Sequence, residues 1–194
     1  MGNGLTPVAF HRTSWEDSKA SFVAIKGGSP SVNHGHMDIG QFVMESDGVR
    51  WAADLGMQSY HGLESIGLDL WGKDRWKVFR LANKSHNVLV VDDQLQVEEG
   101  SAPIVHHQVG EEMSSTIIDM TDVYAGQFEQ ARRGVALFRQ GVVQIEDQIS
   151  TLSKSCEVRW GMVTHAEVSL DGPHRATLRQ NGERLHVELL SGGD

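Results

Sequence analysis

The sequence predicts an all-β chain, a layered antiparallel β-sandwich, on three observations. Short apolar runs of strand length recur about every ten residues, most of them closed by a glycine-bearing turn. No heptad pattern, internal repeat or low-complexity tract competes with that rhythm. The chain has 194 residues, 39% of them hydrophobic, enough for one domain spanning 1–194 with its own core.

The elements follow in order. Phe22-Val-Ala-Ile25 is an apolar run ending at Lys26-Gly27-Gly28. Ile39 to Glu45 and Val49 to Ala53 flank Ser46-Asp47-Gly48, where Asp-Gly supplies the positive-φ residues of a tight hairpin. His86 to Val91 reads as another strand, stopped by Asp92-Asp93. Val135 to Arg139 and Val142 to Glu146 turn about Gln140-Gly141, with Arg132-Arg133 before them read as a solvated strand face. Ala176 to Gln180 and Arg184 to Leu190 turn about Asn181-Gly182, a strong short hairpin signal. Between Leu55 and Lys84 the rhythm fails: no alternation holds, and aromatic and charged residues crowd together. Leu63 to Leu70 reads there as a helical turn or two, weakened by Gly67. So long an irregular segment is usually functional.

Composition excludes several classes. A single cysteine, Cys156, rules out an internal disulfide framework and every multi-cysteine zinc site. No apolar run approaches the roughly 20 residues of a membrane span. A net charge of −9 argues against nucleic acid as the main partner, while leaving room for a local basic pocket for an acidic sugar. Met1-Gly-Asn-Gly-Leu-Thr-Pro-Val8 has neither a basic nor an apolar leader region, which reads as a cytosolic protein or a piece of a larger one. The stop at Ser191-Gly-Gly-Asp194, just after a strand, reads as a cut.

The densest chemistry is Asn33-His34-Gly35-His36-Met37-Asp38. On an extended segment His34 and His36 point to the same side, because side chains alternate with a period of two. A third metal ligand must come from elsewhere, and Asp54 and His86, both at strand ends, are the best-placed candidates. Two imidazoles and a carboxylate suit zinc with an open or water-filled fourth position. The competing reading is a chance His-x-His with Asp38 capping a local turn. A cupin-type site wants a glutamate four or five residues after the second histidine, where Gly40 and Gln41 stand.

The wider string carries a resemblance. Arg12-Thr-Ser-Trp15, Ala24-Ile-Lys-Gly-Gly28, Asn33 to Asp38, Phe42, Gly48 to Gly56, Tyr60, Arg75-Trp76, Phe79-Arg80 and His86-Asn87 together resemble the heparinase II/III-like polysaccharide lyases. Ala131-Arg-Arg-Gly134 with Val143 to Asp147 fits the middle strands of the same family. The resemblance runs from about Arg12 to about Leu190. It implies the C-terminal β-sheet domain of an enzyme whose N-terminal α/α toroid, here absent, forms the other wall of the active cleft.

The same resemblance implies residue roles. His36, Asp54 and His86 fall on zinc-ligand positions, and His34 on the histidine that faces substrate, with Asn33 beside it. The catalytic tyrosine of the family belongs to the toroid. The implied chemistry is β-elimination at a uronic acid, which needs the carboxylate neutralised, a base for C5 and an acid for the departing O4. The residues leave two zinc roles open, a structural clamp on the loop presenting His34 or a Lewis acid on substrate.

Tyr60 and Arg80 are further candidates for sugar contact, the first for hydroxyls and the second for carboxylate or sulfate. Arg75 shares that reading, with a structural ion pair as the alternative. Trp15, Trp71 and Trp76 could stack on sugar rings, whereas Trp51, on a strand, reads as core. His106 and His107 point opposite ways on a strand and read as surface or packing. The expected partner is an acidic glycan of the heparin, heparan sulfate or alginate class, in a periplasmic or secreted parent. The alternative is a non-catalytic, zinc-stabilised carbohydrate-binding or interdomain β-module.

Overall fold

The architecture comes from a computed structural model that describes residues 1–190; the expected cut at Ser191–Asp194 lies outside the described residues. Strands β1 (Val8–Arg12), β2 (Phe22–Lys26), β3 (Phe42–Ser46) and β4 (Val49–Ala52) form a four-stranded antiparallel sheet in chain order. The turn between β3 and β4 is made by Asp47 and Gly48 at φ 55° and 75°, the mirror-image geometry whose twist matches the flanking strands. The irregular segment holds the short helix α1 (Tyr60–Glu64) and 3₁₀ turns at Lys73–Lys77, Phe79–Leu81 and Asn83–Ser85.

Beyond it lie β5 (Leu89–Val91), β6 (Ile104–Gln108), β7 (Met113–Asp119), β8 (Phe128–Phe138), β9 (Val143–Thr151), β10 (Val158–Trp160), β11 (Glu167–Leu170), β12 (Arg175–Gln180) and β13 (Glu183–Glu188). β6 to β9 form a second four-stranded antiparallel sheet, β11 to β13 a three-stranded one, and β5 pairs with β10. Asn181 and Gly182, at φ 54° and 85°, make the hairpin between β12 and β13.

The two four-stranded sheets pack face to face, with β1 and β2 lying over β7 and β8. Val23, Ile25, Phe42 and Trp51 from the first meet Ile118, Ala131, Val135 and Leu137 from the second, the alternate residues that each strand turns inward. The all-β sandwich is therefore as expected. Trp51 is core, as its strand position implied.

Three expectations are corrected. Arg132-Arg133 is not a solvated face: the period of two in β8 carries inward through Ala131, Arg133, Val135 and Leu137, and Arg133 is 0% exposed. β5 starts at Leu89 rather than His86, because Asn87 spends its backbone N–H on Gln41 and its side chain on Phe42 and Ala53 instead of on a ladder. The helical turn lies over Tyr60–Glu64 and has ended before Gly67, which sits at φ 83°.

A satellite core of Met37, Leu63, Leu70, Trp76, Val78 and Leu81 holds the irregular segment under the loop of His34 and His36. Burying five of its large apolar groups against one another and Met37 gives that segment a fixed shape without strand pairing.

Candidate functional site

The loop between β2 and β3 is not extended. Gly35 N–H donates to the Val32 carbonyl at 2.8 Å, and His34 sits at φ 59° in the left-handed region. At Gly35 an added Cβ would lie 2.5 Å from the Pro30 carbonyl oxygen, so only glycine fits between the histidines. His34 and His36 are thus separated by a turn rather than aligned by strand alternation. His34 is exposed, while His36 is half-buried and faces inward.

His36 and His86 face each other with ring centroids 5.4 Å apart. His86 Nδ1 lies 2.9 Å from Oδ2 of Asp54, and its Nε2 is buried without a hydrogen-bond partner among the described residues. Asp54 Oδ2 also accepts from Gln41 Nε2, and its Oδ1 accepts from the Gly56 amide at 2.6 Å. Burial alone would raise the Asp54 carboxyl; the hydrogen bonds from His86, Gly56 and Gln41, with the charge of His86, outweigh it and hold the group well below the usual carboxylate range. Burial also lowers His36, helped by His86 and Lys26 and opposed by Asp38 and Asp54.

His36, Asp54 and Gln41 line a concavity of about 300 Å³ together with Lys26, Asp38 and His34. Lys26 Nζ donates to both oxygens of Asp38 at 2.7 Å, so the floor carries a closed ion pair rather than a free cation. A second concavity, about 410 Å³, is lined by Asp119, Asp122, Glu129 and neighbours, shares no residue with the first and contains no histidine.

At the mouth, His34 Nδ1 lies 2.6 Å from the Tyr60 hydroxyl. Tyr60 opens α1, whose first turn is capped by the Ser59 side chain, so the helix start fixes where the phenol reaches. Asn33 is exposed on the same turn as His34. Arg80 Nη1 donates to the Leu55 carbonyl at 2.7 Å, and Arg75 Nη2 donates to the Gly35 carbonyl. Both arginines hold backbone next to the site, one just past Asp54 and the other between the two histidines.

Sequence reasoning missed the supports of this site. Arg133 donates to the carbonyls of Gly40 and Asn87 at 2.9 and 2.7 Å, tying the loop after His36 to the segment after His86. Gln41 bridges Asp54 to the Asn87 amide. An Arg-Arg pair on a β-strand and a lone glutamine carry no local signal of such a role.

Among the described residues no three His, Cys, Asp or Glu side chains converge closely enough to make a finished metal cage. The donor set nevertheless fits a zinc ion. It offers the imidazoles of His36 and His86, the latter with a buried Nε2 that has no other partner, and the carboxylate of Asp54, which holds the opposite ring nitrogen of His86 and would have to leave it to join them as a ligand. His34, engaged with Tyr60, stands outside that set.

The fold has known counterparts. Heparan sulfate lyase HepC from Pedobacter heparinus superposes with a TM-score of 0.74 at 16% identity, covering 100% of this chain and 30% of that one. A heparinase III gene product matches at TM-score 0.63 and 17% identity over 87% of this chain and 25% of its own. Another heparinase III structure matches at 0.66 and 13% over 90% and 26%. The chain therefore spans about 30% or less of the length of these enzymes. No curated protein matches it. No helix among the described residues is long and apolar enough to cross a membrane. The model of the heparinase II/III-like C-terminal domain matches residues 9–193, nearly the whole chain, and the chain belongs to that family.

Proposed function

We propose that this chain is the β half of a polysaccharide lyase acting on a uronic-acid glycan, with His34 as its proton-handling group. The observation that carries this reading is the His34–Tyr60 contact at 2.6 Å, at the mouth of a concavity whose inner wall holds His36 and Asp54. A phenol and an imidazole in hydrogen-bond contact can pass a proton between them and present it to a bound sugar.

In β-elimination the C5 proton leaves to a base, its electron pair forms the C4–C5 double bond, and the C4–O4 bond breaks as O4 is protonated. His34 serves one of those proton transfers, and Asn33 and Tyr60 bind sugar hydroxyls. Arg80, one of whose N–H groups is used by Leu55, offers the rest of its fork to a carboxylate. The complementary acid or base comes from a toroid domain in the parent, which works in the periplasm or outside the cell on heparin-, heparan sulfate- or alginate-class substrates.

His36, Asp54 and His86 would hold one structural zinc, which supplies cross-linking of three chain segments when bound. The buried, unpartnered Nε2 of His86 and the adjacent His36 ring support the two imidazole ligands of that assignment. The reading is tested by His34→Ala in the full-length parent. Turnover on heparan sulfate or alginate should fall at least about 100-fold. Unchanged turnover would leave a binding or interdomain module as the better account.

A further inference from the structure

The irregular segment leaves one large ring uncovered beside His34. Trp71 is 64% exposed, although a side chain of its size ordinarily buries most of its surface. Its backbone is nonetheless pinned. Leu70 is buried in the satellite core, and Asp69 Oδ1 accepts from the amides of Trp71 and Gly72 at 3.1 Å each. The indole lies parallel to the Tyr60 ring, at 8° with centroids 6.0 Å apart. The His34 ring stands nearly perpendicular to both, with centroids 5.5 Å from Trp71 and 5.8 Å from Tyr60. Tyr60 stacks on the indole, yet most of the Trp71 side chain remains exposed.

We propose that Trp71 is a carbohydrate-stacking residue, its exposed indole taking the apolar face of a hexopyranose ring next to the sugar held at His34 and Tyr60. This rests on the acidic-glycan reading above and extends it. The axial C–H groups of a pyranose carry partial positive charge and match the negative face of an indole, while the ring hydroxyls stay in water. A protein anchor would want a contiguous apolar patch, but the exposed neighbours of Trp71 in the chain are Asp69 and Lys73. The polar heads at hand, the Tyr60 hydroxyl and the His34 imidazole, suit a ligand rich in hydroxyl groups. A ring held between Tyr60 and Asp69-anchored backbone also gives up little freedom on binding.

The test is a nuclear magnetic resonance titration of the 194-residue chain with an unsaturated heparan sulfate tetrasaccharide, and with cellotetraose as a neutral probe. The five tryptophans give five indole N–H signals, and W71F identifies that of Trp71. The uronate tetrasaccharide should move both the Trp71 signal and the His34 ring protons. W71A should weaken its binding about tenfold or more, while W71F, which keeps a stacking face, stays within about threefold of the unaltered chain. Binding by W71A equal to that of the unaltered chain overturns the proposal. If His34 moves and Trp71 does not, stacking fails and the acidic-glycan reading stands. If neither moves, both fail. A Trp71 shift with cellotetraose as large as with the uronate sugar supports stacking and counts against an acidic substrate. Should W71A fold poorly, the Trp71 signal of the unaltered chain and the affinity of W71F still decide.

Discussion

Arg133 and Asp147 meet in the sandwich interior as a two-pronged ion pair, Nε to Oδ1 at 2.7 Å and Nη2 to Oδ2 at 2.8 Å. The arginine side chain is wholly buried and the aspartate nearly so. Its remaining Nη1 reaches the Gly40 and Asn87 carbonyls, and the guanidinium carbon lies 5.8 Å from the centre of the Phe42 ring. One side chain of the second sheet thus holds two of the three segments that carry the candidate metal ligands, those of His36 and His86.

Replacing that group should be costly. Arg133→Met leaves Asp147 without its partner and two carbonyls without donors, and should destabilise the chain by about 3–5 kcal/mol. Urea denaturation measures the loss. Arg133→Lys keeps the charge but not the fork and should fall between the two. A loss below about 1 kcal/mol for Arg133→Met would show that the network does not hold the site.

Metal content separates the two histidines of the loop. Chain purified without added metal should carry about one equivalent of zinc by elemental analysis. His36→Ala and His86→Ala should lose it and melt at lower temperature, since metal binding is coupled to folding. His34→Ala should retain it, because His34 is turned outward to Tyr60. Zinc lost with His34 would place that residue among the ligands.

A second histidine pair contributes to the pH dependence of stability on the acid side. His11 of β1 stacks on His107 of β6 with centroids 5.2 Å apart, and His11 Nε2 and His107 Nδ1 each lie 2.8 Å from the Thr116 hydroxyl of β7. The hydroxyl has one hydrogen, so it donates to at most one ring and accepts from at least one. Burial first, then the charge of His107 and of the N-terminal amine, lowers His11 to about 4. The folded state therefore keeps His11 neutral where the unfolded chain, titrating near 6.5, is protonated. Between those values the unfolded state binds more protons, so stability falls as pH drops from about 6.5 to about 4, by up to about 3 kcal/mol. His11→Gln should flatten that stretch of a stability-against-pH curve, and an unchanged slope would point to other groups.

The chain alone should fold but not turn over substrate. His34 and Tyr60 stand together at the mouth, but the positioning that an opposite cleft wall in a toroid domain would supply is worth up to roughly 7–11 kcal/mol in well-oriented systems. Incubation with heparin, heparan sulfate, alginate and hyaluronan, followed by the ultraviolet absorbance of the unsaturated uronate, should show no product. Robust turnover on any of them would mean that both proton-transfer groups lie within these residues.

Much of the architecture was readable locally. Asp47-Gly48 and Asn181-Gly182 announce their hairpins because positive φ is a property of the residue pair itself, and Val23 and Ile25 announce their buried face because alternation is built into a strand. His36, Asp54 and His86 could be named together from the order and spacing of the motifs that carry the family resemblance, and the fold brings the His36 ring and the Asp54 carboxylate against His86. The same reading took the loop of His34 as extended, because nothing local signals the turn that Gly35 allows.

What only the tertiary structure decided is which polar groups close on one another. Arg133 reaches Gly40 across 93 residues and Asn87 across 46, His11 meets Thr116 across 105, and His34 meets Tyr60 across 26. A strand pattern marks Arg133 only as inward-facing or outward-facing, and its charge argued for outward until Asp147 was seen opposite it. Hydrophobic periodicity reports burial one element at a time. A buried charge or a shared hydroxyl is stable only through partners that folding brings from other elements, so its place is written in the packing of the two sheets and not in any single stretch of chain.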